Sequence, residues 1–164
     1  MSTYPQRKSL RWRHHDYNLP GYYFVTVCTY ERRCILGDVR NGVMYRNAFG
    51  RVVHESWQQM FHALPDENAG LSVVMPNHFH ALFYLPERGH VGTRSALSLW
   101  MGRFKMRATK AIHIRRPDRE DPVWQRGYWD RVVRTDSELD ALREYIRDNP
   151  LKWHLDRLNP LRSP

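Results

Sequence analysis

The chain has 164 residues, enough for one domain with a real core, and 41% hydrophobic and 13% aromatic content excludes disorder. Lys and Arg number 26 against 17 Asp and Glu, a formal charge of +9 that points to an anionic partner and favours nucleic acid over lipid. No apolar run reaches the roughly eighteen residues of a membrane span, the basic N-terminus lacks the apolar stretch of a secretory signal, and Cys28 and Cys34 are too few for a zinc or disulfide framework, so a reduced, cytoplasmic protein is expected.

Residues 1–21 read as a polar, basic arm ending at the turn signal Pro20-Gly21. Residues 22–30, YYFVTVCTY, are β-branched and aromatic and predict a strand. A loop with Gly37, Asp38, Asn41 and Gly42 follows. Over 48–64, Val52, Val53, Trp57, Met60, Phe61 and Leu64 recur at helical spacing, and Pro65 and Gly70 break the pattern. Residues 71–75 predict a second strand. The turn at Pro76-Asn77 is so tight that a third strand, 78–85, must be its antiparallel neighbour. Residues 95–113 predict a second helix with Leu97, Met101, Phe104, Ala108 and Ile112 on one stripe and Arg94, Arg103, Arg107 and Lys110 on the other face. A charged linker, 115–122, leads to a fourth strand, 123–134. Thr135 to Glu138 form a capping box for a third helix, which Pro150 ends. The order β-α-β-β-α-β-α implies an α+β fold: a ferredoxin-like antiparallel sheet (βαββαβ) with an additional C-terminal helix. The expected organisation is arm 1–21, a folded domain over 22–150, and tail 151–164.

The stretch VVMPNHFHALFYLP (73–86) holds the first sign of chemistry. Strand side chains alternate, so His78, His80, Leu82 and Tyr84 share one face, while Phe79, Ala81, Phe83 and Leu85 share a plain core face. Two imidazoles roughly 7 Å apart at Cα can reach one cation. Imidazole suits Zn, Mn, Fe or Ni, and with oxygen ligands added it can hold Mg or Mn at a phosphate. The alternative is a pair of half-exposed imidazoles on a solvated face. In the last helix, Tyr145 and Asn149 stand four residues apart, offset by about 40° around the axis and about 6 Å along it. Laid across the open face of the sheet, that helix would bring a phenol and an amide oxygen to one place. Packing and helix termination are the alternatives for these two residues.

Four segments together resemble a known family. MPNHFHAL (75–82) resembles the His-hydrophobic-His motif of HUH endonucleases, and YIRDNPLKW (145–153) the Tyr-Ile-x-x-Asn-Pro motif of REP-associated tyrosine transposases. DYNLPGYYFVTVCTYERRCILG (16–37) is similar to that family's first strand and following loop, and WQRGYWDRVVR (124–134) to the strand before its tyrosine helix. The matches run in the family's order across most of residues 16–159. One departure is Arg131, where the family more often has His after the Asp; it bears on DNA contacts.

The resemblance implies that 22–150 is an HUH transposase-like catalytic domain acting on single-stranded DNA with short palindromic hairpins. His78 and His80 would hold a divalent metal, Mg or Mn, with Asn149 supplying a third ligand through its side-chain oxygen. Tyr145 would be the nucleophile on a phosphodiester, giving a 5′-phosphotyrosine that can be rejoined without ATP. Phosphate contacts are expected from Arg7, Lys8, Arg11, Trp12 and Arg13 of the arm and from Arg103, Lys105, Arg107 and Lys110 of the second helix. Trp124, Tyr128 and Trp129 are expected to stack on unpaired bases, with Arg131 as a further DNA contact. A monomer is expected, a dimer being the alternative. Two rivals share the fold: a hairpin-binding regulator that does not cut, and a metal-dependent phosphodiesterase that uses water while Tyr145 only packs.

Overall fold

The computed structural model describes residues 15–87, 94–116 and 121–162. In chain order the elements are β1 (Gly21–Cys28), β2 (Gly37–Arg40), β3 (Val43–Arg46), α1 (Ala48–Gln59), a single turn α2 (Asp66–Ala69), β4 (Leu71–Met75), β5 (His78–Leu85), α3 (Ala96–Arg115), β6 (Trp129–Val132) and α4 (Asp136–Asp148). Short 3-10 turns cover Tyr30–Arg32 and Trp153–Leu155. The arm residues Arg7, Lys8, Arg11, Trp12 and Arg13 lie outside the described residues.

Four strands form one sheet in the order β4-β5-β1-β6. Every neighbouring pair is antiparallel, which is the ferredoxin-like arrangement expected from the element order. The β5–β1 register sets Cys28 opposite His78 and Thr26 opposite His80, and the β1–β6 register sets Trp129 opposite Thr26 and Arg131 opposite Phe24. Alternation then separates two faces. One carries Tyr23, Val25, Val27, Phe79, Ala81, Phe83 and Leu85, all buried. α1 and α3 cover it, adding Val53, Trp57, Leu97, Met101, Phe104, Ala108 and Ile112 to one continuous core. Trp57 is central, its ring about 5 Å from those of Phe61, Phe79, Phe83 and Phe104.

The other face carries the histidines, and α4 covers it through a smaller cluster of Leu82, Leu139 and Ile146, edged by Phe24, Val73 and Leu142. The amphipathic stripe of α4 dictates this, since its apolar residues have no other sheet surface to bury. Thr135 caps the helix by accepting from the Glu138 backbone N–H at 3.2 Å. Glu138 in turn accepts from the Arg134 N–H at 3.0 Å and pairs with Arg131.

The segment 37–46 is a two-stranded hairpin rather than a loop, with Asn41-Gly42 as its two-residue turn. Asn41 (φ 51°) and Gly42 (φ 74°) both adopt the left-handed conformation that turns of this kind require. α1 stops at Gln59, earlier than the apolar periodicity suggested, and the fourth strand is confined to 129–132. Trp124 reaches the sheet only through an isolated bridge to Thr29.

Candidate active site

His78 and His80 are both buried on the α4-facing side of β5, with ring centroids 4.6 Å apart. Each ring is held at Nδ1: His78 by Asn77 Oδ1 at 2.9 Å and His80 by Thr26 Oγ1 at 2.8 Å. Phe24 stacks on His80 at 5.3 Å between centroids. The bonds at Nδ1 leave both Nε2 atoms to serve the space beneath α4.

Tyr145 reaches into that space from α4. Its hydroxyl lies 3.4 Å from His80 Nε2, and its ring meets those of His80 and Phe24 edge-on. At 43% exposure the phenol is anchored at the tip yet open along one edge. Asn149, the residue that caps the C-terminus of α4, is 4% exposed and its Oδ1 has no hydrogen-bond partner among the described residues. His78 Nε2 is likewise buried and without a hydrogen-bond partner. Buried polar atoms of this kind are costly unless water or an ion satisfies them.

The structure adds a group that the sequence did not announce. Asp156, seven residues past Asn149, places Oδ2 3.7 Å from His78 Nε2. One ligand atom from each of His78, His80 and Asp156 lies within 4.8 Å of the others, the sole such cluster of metal-ligating residues among the described residues. Asp156 is fixed in place, since its Oδ1 accepts from the Leu158 N–H at 2.7 Å. Trp153 covers the outer side of His78 at 5.9 Å. Neither helical periodicity nor strand alternation extends past Pro150, so no pattern in the sequence pointed to this carboxylate.

Burial holds the His78 pKa down to about 4, against the opposing pull of Asp156 and the Asn149 amide. Burial, then the neighbouring His78, lowers His80 well below its ordinary range. Both rings are therefore neutral near pH 7 and ready to ligate without first losing a proton. Burial and the Asp156 charge push the Tyr145 phenol up, with Asn149 and Arg157 pulling the other way. Two imidazoles, an amide oxygen and a carboxylate make a mixed nitrogen and oxygen donor set that fits Mn or Mg at a phosphate.

The expected DNA contacts separate by layer. Trp129 and Arg131 lie on the histidine face, Trp129 in register with Thr26 and 43% exposed. Arg131 is engaged with Glu138 at the start of α4. Trp124 is a core residue, packed at 6.1 Å from Phe104, so its faces are not available to a base. Tyr128 packs partly against the same core and lies 3.4 Å from Ser98 Oγ. Lys105 donates to the Gln125 and Gly127 carbonyls, bracing the segment before β6. Arg103, Arg107 and Lys110 are exposed on α3, across the sheet from the histidines, and Arg107 donates to Gln59. Cys28 and Cys34 are both free thiols. No described helix is long and apolar enough to cross a membrane.

Known proteins resemble this chain over most of its length. The family described as "Transposase IS200 like" matches residues 16–149. An uncharacterised protein of Haemophilus influenzae is 28% identical, over 93% of this chain and 92% of its own. A second protein of that organism, named as a candidate REP-associated tyrosine transposase, is 26% identical over 84% of this chain and 74% of its own. Among solved structures, a REP-associated tyrosine transposase bound to a REP hairpin superposes with a TM-score of 0.61 at 21% identity, covering 87% of this chain and 73% of that one.

Proposed function

The chain belongs to the IS200-like transposase family, and from that premise we propose that it is a metal-dependent single-strand DNA endonuclease and strand transferase. Its substrate is hairpin-bearing palindromic repeat DNA, cleaved and rejoined through a 5′-phosphotyrosine. The observation that carries this reading is the approach of Tyr145 Oη to 3.4 Å from His80 Nε2, beside His78 and Asp156.

His78, His80, Asn149 and Asp156 are the residues that would hold the metal. When bound, a divalent ion there supplies positive charge that withdraws electron density from the phosphodiester and aligns it for in-line attack. Tyr145 is the nucleophile. Its Oη–P bond forms as the bond from phosphorus to the 3′ oxygen breaks. The phenolic proton passes to solvent and the departing oxygen takes one up, leaving a free 3′-hydroxyl. Because the phosphodiester energy is kept in the tyrosyl ester, the reverse step can join the 5′ end to another strand. Phe24 and His80 hold the phenol from two sides, which fixes its approach. The raised phenol pKa keeps the resting nucleophile protonated. Trp129 offers an aromatic face beside the site for an unpaired base. The protein acts as a monomer in this scheme.

The test is covalent capture. With Mn2+ and a hairpin oligonucleotide carrying single-stranded flanks, a protein–DNA adduct should survive a denaturing gel. Tyr145→Phe should abolish the adduct while leaving hairpin affinity unchanged. Cleavage that persists in that variant would establish a water nucleophile instead, and binding without cleavage by the wild type would establish a regulator.

A further inference from the structure

Asn77, in the turn between β4 and β5, has no exposed surface. Its Nδ2 lies 3.0 Å from the Arg32 carbonyl oxygen and 2.7 Å from the Leu158 carbonyl oxygen. Carbonyls only accept, so both amide protons are committed and the orientation of the amide is settled. Oδ1 is then the atom that faces His78 Nδ1, at 2.9 Å. An amide oxygen cannot donate, so the proton between them belongs to His78 Nδ1. A neutral ring protonated there presents Nε2 as a bare lone pair.

That assignment explains an otherwise unfavourable contact. Among the described residues His78 Nε2 has no hydrogen-bond partner, and the charged atom facing it is Asp156 Oδ2 at 3.7 Å. With Nε2 unprotonated, the two are acceptor against acceptor in a buried setting, an arrangement that a cation between them relieves. The same amide secures the other side of the pair. Leu158, which Nδ2 holds, donates its own N–H to Asp156 Oδ1 at 2.7 Å.

We propose that Asn77 is a positioning residue that locks His78 in its Nδ1–H tautomer and anchors the segment carrying Asp156, so that one buried amide orients two ligands at once. The metal-ligand role of the pair rests on the function proposed above; the tautomer does not. Orienting partners of this kind are worth roughly 10- to 100-fold in metal affinity.

Long-range 1H–15N spectra of the metal-free protein read the tautomer directly, with the His78 signals assigned by their loss in His78→Asn. The wild type should show Nδ1 protonated and Nε2 bare. Asn77→Leu should move the proton to Nε2, toward Asp156, and weaken Mn2+ binding about 10- to 100-fold by calorimetry. Asn77→Asp should keep the tautomer, because a carboxylate also accepts from Nδ1. It loses the two donated bonds, so amides over 156–159 should exchange faster than in the wild type. A wild-type ring protonated at Nε2 would overturn the proposal, as would an Asn77→Leu variant with unchanged tautomer and Mn2+ affinity. Should that variant not fold, unchanged exchange over 156–159 in Asn77→Asp overturns the anchoring role. Absence of any DNA adduct in the wild type would end the enzymatic reading while leaving the spectra to decide this one.

Discussion

Asp156 shows what a single side chain adds to a site otherwise assembled from motif residues. It lies beyond Pro150 and beyond every periodic pattern, and only folding of the 153–158 segment over His78 brings it in. Strand and helix spacing put His78 with His80 and Tyr145 with Asn149, but only the family resemblance gave these pairs a chemical role. Asp156→Asn should weaken Mn2+ binding by about tenfold or more, measured by calorimetry, since it removes the one anionic donor of the set. The buried imidazoles have a second consequence. An unfolded chain takes up a proton on each histidine near pH 6.5, whereas folded His78 declines it until about pH 4. Between those values the unfolded state binds more protons, so stability falls as pH falls. Urea titrations of the metal-free protein should show stability falling from pH 7 toward pH 4, with a shallower slope in His78→Asn, where His80 alone remains.

At the scale of elements, the sheet strands and the three long helices followed from apolar periodicity and caps. The β2–β3 hairpin did not, although its Asn41-Gly42 turn carries a recognised dipeptide signal. Its strands are four residues each and hold Asp38, Arg40 and Arg46, so they lack the apolar alternation that marks a half-buried strand. The hairpin reaches the end of the tyrosine helix. A Cβ on Gly42 would come within 2.5 Å of Leu151 Cδ2, two residues past Asn149, and its φ of +74° disfavours any L side chain. Gly42→Val should therefore cost about 1–3 kcal/mol in thermal unfolding.

Across the whole molecule, the two faces of the sheet divide the labour. The plain core face of β5 already offered the two amphipathic helices their place, and with them the α3 cations, on the side away from the histidines. In the folded chain Arg103, Arg107 and Lys110 stand on the far side from the histidines. Across a packed sheet, charges beyond a Debye length of roughly 8–10 Å are largely screened at physiological salt. Replacing all three with Ala should shift single-strand affinity less than about threefold near 0.15 M salt. Trp129→Ala should cost about 1–3 kcal/mol of single-strand affinity, read by fluorescence titration.

The two cores beneath those faces are unequal in strength. The histidines are rooted in β5, whose opposite side chains belong to the large aromatic core, while Tyr145 rides a helix fastened chiefly by Leu82, Leu139 and Ile146. Cooperative units with less buried apolar surface open first. On gradual heating α4 should thus open first and carry Tyr145 and Asn149 away from the histidines together: adduct yield and Mn2+ affinity should decline in parallel, at temperatures where the sheet is still folded. A warmed sample would keep its sheet and both imidazoles, yet neither cut nor grip the ion.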